Sequence, residues 1–152
     1  MTASLKPHVL RCWLLAAIAA AGLTFAVGKA PAQPSGPTYD CMFEKGQVNS
    51  FEEGQFAGAA TALLKFSIGA IDLKRQTATL STESGSGTLR IVRAISANHY
   101  LEVITEGFLN VTTIYEPSER GAPSPAVHSR HVGLLGQPMS AHYTGFCTPR
   151  AN

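Results

Sequence analysis

The sequence predicts an all-β protein, a single small antiparallel β-barrel of eight or nine strands in meander order. Three observations carry this prediction. Residues 76–116 alternate apolar with polar side chains and are interrupted three times by turn residues, as half-buried strands are. Beyond residue 32 there is a single weak helix signal. Cys41 and Cys147 lie near the two ends of this part of the chain, where a disulfide would join the first and last strands.

The first 32 of the 152 residues have the composition of a signal peptide. A basic start is followed by 17 uncharged residues, Cys12–Gly28, and small residues precede the expected cleavage after Ala32. The alternative is a retained membrane anchor, but the uncharged stretch is shorter than the roughly 20 residues that span a bilayer core. We therefore expect a periplasmic or secreted protein that is not inserted in a membrane after cleavage.

Cleavage would change both the net charge and the cysteine count. Three of the 12 Lys and Arg residues would leave, so that 9 (12 − 3) remain against 10 Asp and Glu, for a net charge of about −1. A chain so close to neutral has no basic surface for nucleic acid. Cys12 would leave too, and the two remaining cysteines, Cys41 and Cys147, are expected to pair in an oxidising compartment.

The expected disulfide constrains the fold. It would close a loop of 107 residues (147 − 41 + 1), which the chain-entropy account of disulfides values at about 4 to 5 kcal/mol. Because bridged residues lie close together, the two ends of the domain would meet, as they do in a barrel without exposed sheet edges. A β-sandwich in which the disulfide joins two sheets is the alternative fold.

Taken in order, the remaining chain is predicted to be one domain. Residues 33–37 are a Pro- and Gly-containing leader expected to be disordered, residues 38–148 form the barrel, and residues 149–152 form a frayed tail. Within 49–60, Ser50 and Glu53 have the spacing of a capping box, which predicts one or two helical turns or an irregular loop. The predicted strands lie near residues 39–44, 61–68, 70–73, 76–82, 88–95, 100–106, 108–115, 126–135 and 140–147.

Three charged residues are candidate site residues. Arg93 shares a predicted face with Leu89, Ile91 and Ile95, which places it on the inner face of the barrel. There it would close the barrel mouth, pair with a carboxylate such as Glu102 or Glu106, or anchor an anionic ligand. The two glutamates are four apart on one strand, roughly 13 Å from each other, so we expect a solvated face and not a catalytic carboxylate pair.

The sequence predicts neither a metal site nor a cofactor. If the last hairpin turns between Gly136 and Gln137, His131 lies across from His142, a pair that lacks further ligands. The segment Ser84–Gly87 lacks the spacing of a nucleophile elbow and of a phosphate-binding loop, and both remaining cysteines are committed to the disulfide. We therefore do not expect an enzyme.

The segment VHSRHVGLLGQPMSAHYTGFC is the least generic part of the chain. Ser129–His131 is a polar triplet within a predicted strand, and Tyr143 adds aromatic surface beside it. Together with Tyr39–Cys41, this segment resembles the ends of small exported Gram-negative proteins without an assigned function. The resemblance implies export and the disulfide, and it implies no activity.

Two functional hypotheses follow. In the first, the barrel binds a small ligand or an envelope partner, with Arg93, Arg130, His131 and Tyr143 as polar contacts. In the second, the barrel is fully packed and serves as a structural or interaction protein of the cell envelope. An open cavity lined by Leu89, Ile91 and Ile95 would favour the first hypothesis, and a solid core would favour the second.

Overall fold

The computed structural model describes residues 36–104, 107–133 and 137–150, and this part of the chain is all β-structure. The predicted signal peptide lies outside the described residues. The nine strands are β1 (Tyr39–Glu52), β2 (Gln55–Ala60), β3 (Leu64–Asp72), β4 (Thr77–Thr82), β5 (Gly85–Arg93), β6 (Ala97–Val103), β7 (Phe108–Tyr115), β8 (Ser124–Val132) and β9 (Met139–Pro149).

Eight of these strands close a barrel. Each strand from β3 to β9 is hydrogen-bonded antiparallel to the next, and β9 returns to β1. The long strand β1 pairs with β9 along one edge and with two strands along the other edge. On that second edge, residues 39–43 pair with β3 and residues 47–52 pair with β2. The predicted antiparallel barrel is therefore confirmed, with β2 as an extra strand outside the closed ring, and the sandwich is not formed.

The weak helix signal at residues 49–60 was wrong. These residues form a hairpin of β1 and β2 with a two-residue turn at Glu53 and Gly54, whose φ angles are 49° and 81°. Two positive φ values in succession are the signature of the turn that suits the twist of a hairpin. The hairpin is also held by an edge-to-face contact between Phe51 and Phe56, and by a hydrogen bond from the Phe51 N–H to the carbonyl of Pro138.

A bulge in β1 decides which of its side chains face the interior. Between Met42 and Lys45, two residues of β1 stand opposite the single residue Gly145 of β9. A Cβ atom at Gly145 would collide with the carbonyl oxygen of Met42, so only glycine fits there. Because the extra residue shifts the alternation by one, Phe43 faces inward before the bulge and Val48 faces inward after it.

One half of the interior, which we call the closed half, is filled with apolar side chains. It lies toward the end of the barrel that carries the chain termini. Phe43, Ile68 and Tyr100 are at most 2% exposed, and burial raises the pKa of the Tyr100 phenol to about 12. The other buried apolar side chains of this half are Cys41, Phe66, Ala78, Leu89, Ile91, Ile114, Ala126 and Cys147, and Ala141 and Tyr143 continue the core toward the other half. Leu89 and Ile91, which were predicted to line an open cavity, are therefore packed, and Ile95 is fully exposed.

The two ends of the domain are joined where the barrel closes. Cys41 and Cys147 are register partners on β1 and β9, and they form the predicted disulfide. On the outer surface nearby, the Arg150 guanidinium pairs with Asp40, and the Arg150 N–H donates to the carbonyl of Thr38. This pairing lowers the pKa of the Asp40 carboxyl. The chain is thus hydrogen-bonded through Arg150, beyond the point at which fraying was expected.

Candidate functional site

The other half of the barrel opens into a cavity of about 540 Å³, which we call the mouth cavity. It lies at the end that carries the turn between β4 and β5 and the connections from β6 to β7 and from β8 to β9. Its volume falls in the range of small-molecule sites. Apolar side chains on its wall are Val48, Leu80, Ile104, Phe108, Val132, Met139 and Ala141; the larger polar ones are Glu102, Asn110, Arg130 and Tyr143.

Arg130 is held by one of its nitrogens and presents the others to the cavity. Its Nε donates a hydrogen bond of 3.2 Å to Nε2 of His128, two residues earlier on the same face of β8. Within the described residues, the terminal Nη nitrogens make no hydrogen bond and no salt bridge. The guanidinium is therefore fixed through Nε, and no described residue uses its terminal donors, an arrangement suited to a planar anion.

His128 is the buried support of this arginine. It is 3% exposed, and its Nδ1 lies 2.8 Å from Oγ1 of Thr112 on β7. Because Nε2 accepts from Arg130, the ring proton must sit on Nδ1, which donates to Thr112. Burial, together with the neighbouring Arg130 charge, lowers the pKa of His128 to about 3, so the imidazole is neutral at physiological pH.

Tyr143 forms the aromatic wall beside Arg130. The Arg130 guanidinium carbon lies 5.7 Å from the centre of the phenol ring, and the His128 ring centre lies 5.8 Å away. The ring also covers Gly46, where a Cβ atom would lie 2.6 Å from Cδ1 of Tyr143. Contacts of the His128 ring with Phe43 and Phe66 continue into the closed half, so Arg130 and Tyr143 on the cavity wall are backed by the packed core.

Glu102 brings a negative charge into the same cavity. Its Oε2 accepts a hydrogen bond of 2.9 Å from Nδ2 of Asn110, its register partner on β7. Its Oε1 occupies space that only a glycine leaves free, because a Cβ atom at Gly87 would lie 2.5 Å from it. The carboxylate is thus held by the Asn110 amide on one side, and on the other it fits into the space that Gly87 leaves free.

The two cavity charges are not paired with each other. The described residues contain two salt bridges, Asp72–Arg75 and Asp40–Arg150, both outside the mouth cavity. Asn110 stands between the charges, because it is the register partner of Glu102 on one side and of Arg130 on the other. The cavity wall therefore carries a carboxylate, an amide and a guanidinium in one row across three neighbouring strands.

The structure brings two of the four predicted contact residues together. Arg130 and Tyr143 both line the mouth cavity. His131 points to the outer surface, because it alternates with the inward Arg130. The predicted register of the last hairpin was wrong, since His131 pairs with Ser140 and not with His142. The His131 and His142 rings still meet edge-to-face, with centres 6.1 Å apart.

Arg93 is placed away from this site. It is exposed at the end of β5, where it pairs in register with Asn98, and it borders a smaller cavity of about 280 Å³ at the opposite end of the barrel. Glu102 lies in the mouth cavity at the other end, so the predicted pairing of Arg93 with Glu102 is not formed. The alternative partner, Glu106, lies outside the described residues.

Several residues of the site were missed from the sequence. Glu102 was expected on a solvated face but points inward, and His128, Thr112 and Asn110 were not among the predicted contact residues. For His128 a signal existed, because it alternates with Ala126 and Arg130 and therefore shares their face. For Asn110 and Thr112, nothing in the sequence indicates a role in a cavity.

Comparison of the chain with protein-family models, curated proteins and solved structures finds no match. Within the described ranges, no group of three or more His, Cys, Asp or Glu side chains is arranged to hold a metal ion. The same residues contain no helix long and apolar enough to cross a membrane.

Proposed function

We propose that this chain is an exported protein that binds a small ligand in the mouth cavity of its barrel, with Arg130 holding an anionic group of that ligand. The observation that carries the proposal is the state of the Arg130 guanidinium. Its Nε is fixed by His128, and its Nη donors face the cavity without an acceptor among the described residues, so they can bind an anionic group.

Export is supported by two features of the chain. The first 32 residues have the charge and hydropathy pattern of a cleavable signal. The Cys41–Cys147 disulfide is of a kind that persists in the periplasm or outside the cell. A protein in either place meets small solutes directly, which fits a binding cavity open at one end.

Binding is preferred over catalysis because the imidazole behind Arg130, that of His128, already has both ring nitrogens hydrogen-bonded. His128 donates to Thr112 and accepts from Arg130, so neither ring nitrogen is free to move a proton to or from a ligand. In this arrangement His128 is a positioning residue that keeps Arg130 in place.

A second candidate, an interaction protein of the cell envelope, is favoured by a groove on the outer surface. This groove, of about 760 Å³, runs along β1, β8 and β9 and includes Met42, Phe146 and Tyr115, which are 43%, 56% and 42% exposed. Large apolar side chains exposed together mark contact surfaces. The candidate does not exclude the first, because the groove and the mouth cavity are separate.

The test begins with native mass spectrometry of the exported, non-reduced protein. This measurement reports the mature N-terminus, the disulfide and any copurified small molecule. The protein is then screened by thermal shift against small carboxylates, phosphates and sulfonates, and hits are titrated by calorimetry. We expect Arg130→Gln to weaken binding at least tenfold, because a charge-assisted hydrogen bond contributes about 1.5 to 3 kcal/mol.

Two variants make the result interpretable. Arg130→Lys keeps the charge but loses the planar fork, so its affinity should fall between those of the wild type and Arg130→Gln. Arg90→Gln removes an exposed arginine from the outer face of β5 and should bind like the wild type. Equal affinity of all four proteins for every hit, or no hit and no copurified molecule, would overturn the proposal.

A further inference from the structure

The mouth cavity carries a carboxylate as well as a guanidinium, and this pair of charges bears on which ligand fits it. An arginine site for an anion alone is weakened by a nearby carboxylate, yet Glu102 is held on the same wall by Asn110 and accommodated by Gly87. If the carboxylate served only to neutralise Arg130, the two would be expected to form a salt bridge. No such bridge is formed within the described residues.

The separation of the charges is set by the barrel. Glu102, Asn110 and Arg130 are register partners on β6, β7 and β8. Opposite residues on antiparallel strands have Cα atoms about 5 Å apart, so the Cα atoms of Glu102 and Arg130 lie roughly 10 Å apart. A small molecule bound against Asn110 can therefore contact both side chains at once.

Each charged group is restrained by a neutral partner. Asn110 holds Glu102 through one carboxylate oxygen, and His128 holds Arg130 through Nε. Oε1 of Glu102 and both Nη nitrogens of Arg130 make no hydrogen bond within the described part of the chain. Since the free groups are ordered before binding, a ligand that meets both loses little affinity to side-chain ordering.

We propose that the ligand is a small zwitterion with an apolar substituent, an α-amino acid or a short peptide terminus in chemical class. Its carboxylate would accept from the Nη groups of Arg130, and its ammonium would donate to Glu102. The apolar substituent would pack against Leu80, Phe108 and Met139 on the remaining wall. This inference rests on the proposed function, because it concerns the same cavity and the same arginine.

The test uses three probes that share one aromatic side chain and differ in which charged groups they keep. These are phenylalanine, phenylalanine methyl ester, which keeps only the ammonium, and N-acetylphenylalanine, which keeps only the carboxylate. Calorimetry on the full non-reduced protein should show phenylalanine binding about tenfold or more tightly than either analogue, because each analogue loses one charge-assisted contact.

Single variants assign each contact. Glu102→Gln should weaken phenylalanine and the ester about tenfold or more while leaving N-acetylphenylalanine unchanged or improved. Arg130→Gln should weaken phenylalanine and N-acetylphenylalanine and spare the ester. Arg90→Gln should change none of the three. Unchanged melting temperatures, measured for each variant, separate a lost contact from a lost fold.

Two results would overturn the proposal that the ligand is a zwitterion. N-acetylphenylalanine binding as tightly as phenylalanine would show that Glu102 makes no contact. No binding of any of the three probes would exclude this ligand class. In either case the anion-binding function is still measured by the separate screen of small carboxylates, phosphates and sulfonates. That function fails if the screen and the mass spectrum give no ligand, or if the Arg130 variants bind every hit as the wild type does.

Discussion

The same strands form the closed half and the half around the mouth cavity, which we call the mouth half. Their inward side chains differ in size and polarity between the two halves. Along β5, the inward positions from the closed half to the mouth are Ile91, Leu89, Gly87 and Gly85, so the side chains shrink toward the opening. Along β8, Ala126 in the closed half is followed toward the mouth by His128 and Arg130, before the apolar Val132 on the cavity wall. Only the closed half can be packed.

This difference separates stability from binding. The closed half holds the disulfide and the side chains of lowest exposure, Phe43, Ile68 and Tyr100. The mouth half holds Glu102 and Arg130, which form no salt bridge with each other and so contribute little to stability as a pair. Substitutions in the two halves should therefore affect different properties.

The largest expected effect is a loss of stability at a phenylalanine of the closed half, compared with a phenylalanine of the mouth half. Phe43 is fully buried in the closed half, and Phe43→Ala should lower the free energy of unfolding by about 3 to 5 kcal/mol. Phe108 is partly exposed on the cavity wall, and Phe108→Ala should cost less than about 1.5 kcal/mol because part of the ring already contacts water. Urea unfolding of the non-reduced proteins measures both values. Equal losses would show that the mouth half is packed as tightly as the core.

The second prediction concerns pH at the boundary between the halves. The folded chain binds a proton at His128 only near pH 3, whereas the unfolded chain binds it near the ordinary value of 6.5. Stability is therefore fully present above pH 6.5 and is lost as the pH falls from 6.5 toward 3. Between pH 6.5 and 5 the loss at this residue should be on the order of 2 kcal/mol.

Urea unfolding at pH 6.5 and pH 5 checks this sign and size. His128→Gln should flatten the difference between the two pH values, because the titrating group is gone. His142→Gln, which removes an exposed imidazole from the outer face of β9, is the matched control and should keep the wild-type difference. The same pH dependence in the wild type and in His128→Gln would contradict a buried neutral imidazole.

Much of the fold could be predicted from the sequence, because strand alternation and turn residues are local signals. The alternation of Leu89 and Ile91 with Arg90 and Val92 correctly identified the inward face of β5. The β1–β2 hairpin was missed, because the capping-box spacing of Ser50 and Glu53 is an equally local signal. It was overruled by the turn at Glu53 and Gly54 and by pairing with β9.

The site could be predicted only in part, and for a physical reason. Alternation tells which side chains share a face, but it does not tell which face is inward when both are apolar. On β6, Tyr100 and Ile104 share the face of Glu102, yet Leu101 and Val103 on the other face are just as apolar. The inward choice is fixed by the closure of the barrel and by the bulge opposite Gly145. Closure was expected from Cys41 and Cys147, but the sequence shows neither the bulge nor which face of each strand turns inward.

The smallest expected effect comes from filling the space beside Gly87 that Glu102 occupies. Gly87→Ala would place a methyl group 2.5 Å from Oε1 of Glu102, so the flexible carboxylate must move away from Asn110. The lost hydrogen bond and the reduced freedom of the unfolded chain nearly cancel, so the free energy of unfolding should change by less than about 1 kcal/mol. The side-chain amide resonances of Asn110, measured by NMR, should nevertheless shift.

Gly133→Ala is the matched control for that substitution. A Cβ atom at Gly133 would meet nothing within 4 Å, so this variant gains the same backbone restriction without a collision. It should leave the Asn110 resonances in place and unfold at the same or slightly higher urea concentration than the wild type. If Gly87→Ala also leaves the Asn110 resonances unshifted, Glu102 does not depend on the missing side chain, and the mouth half is not shaped around its carboxylate.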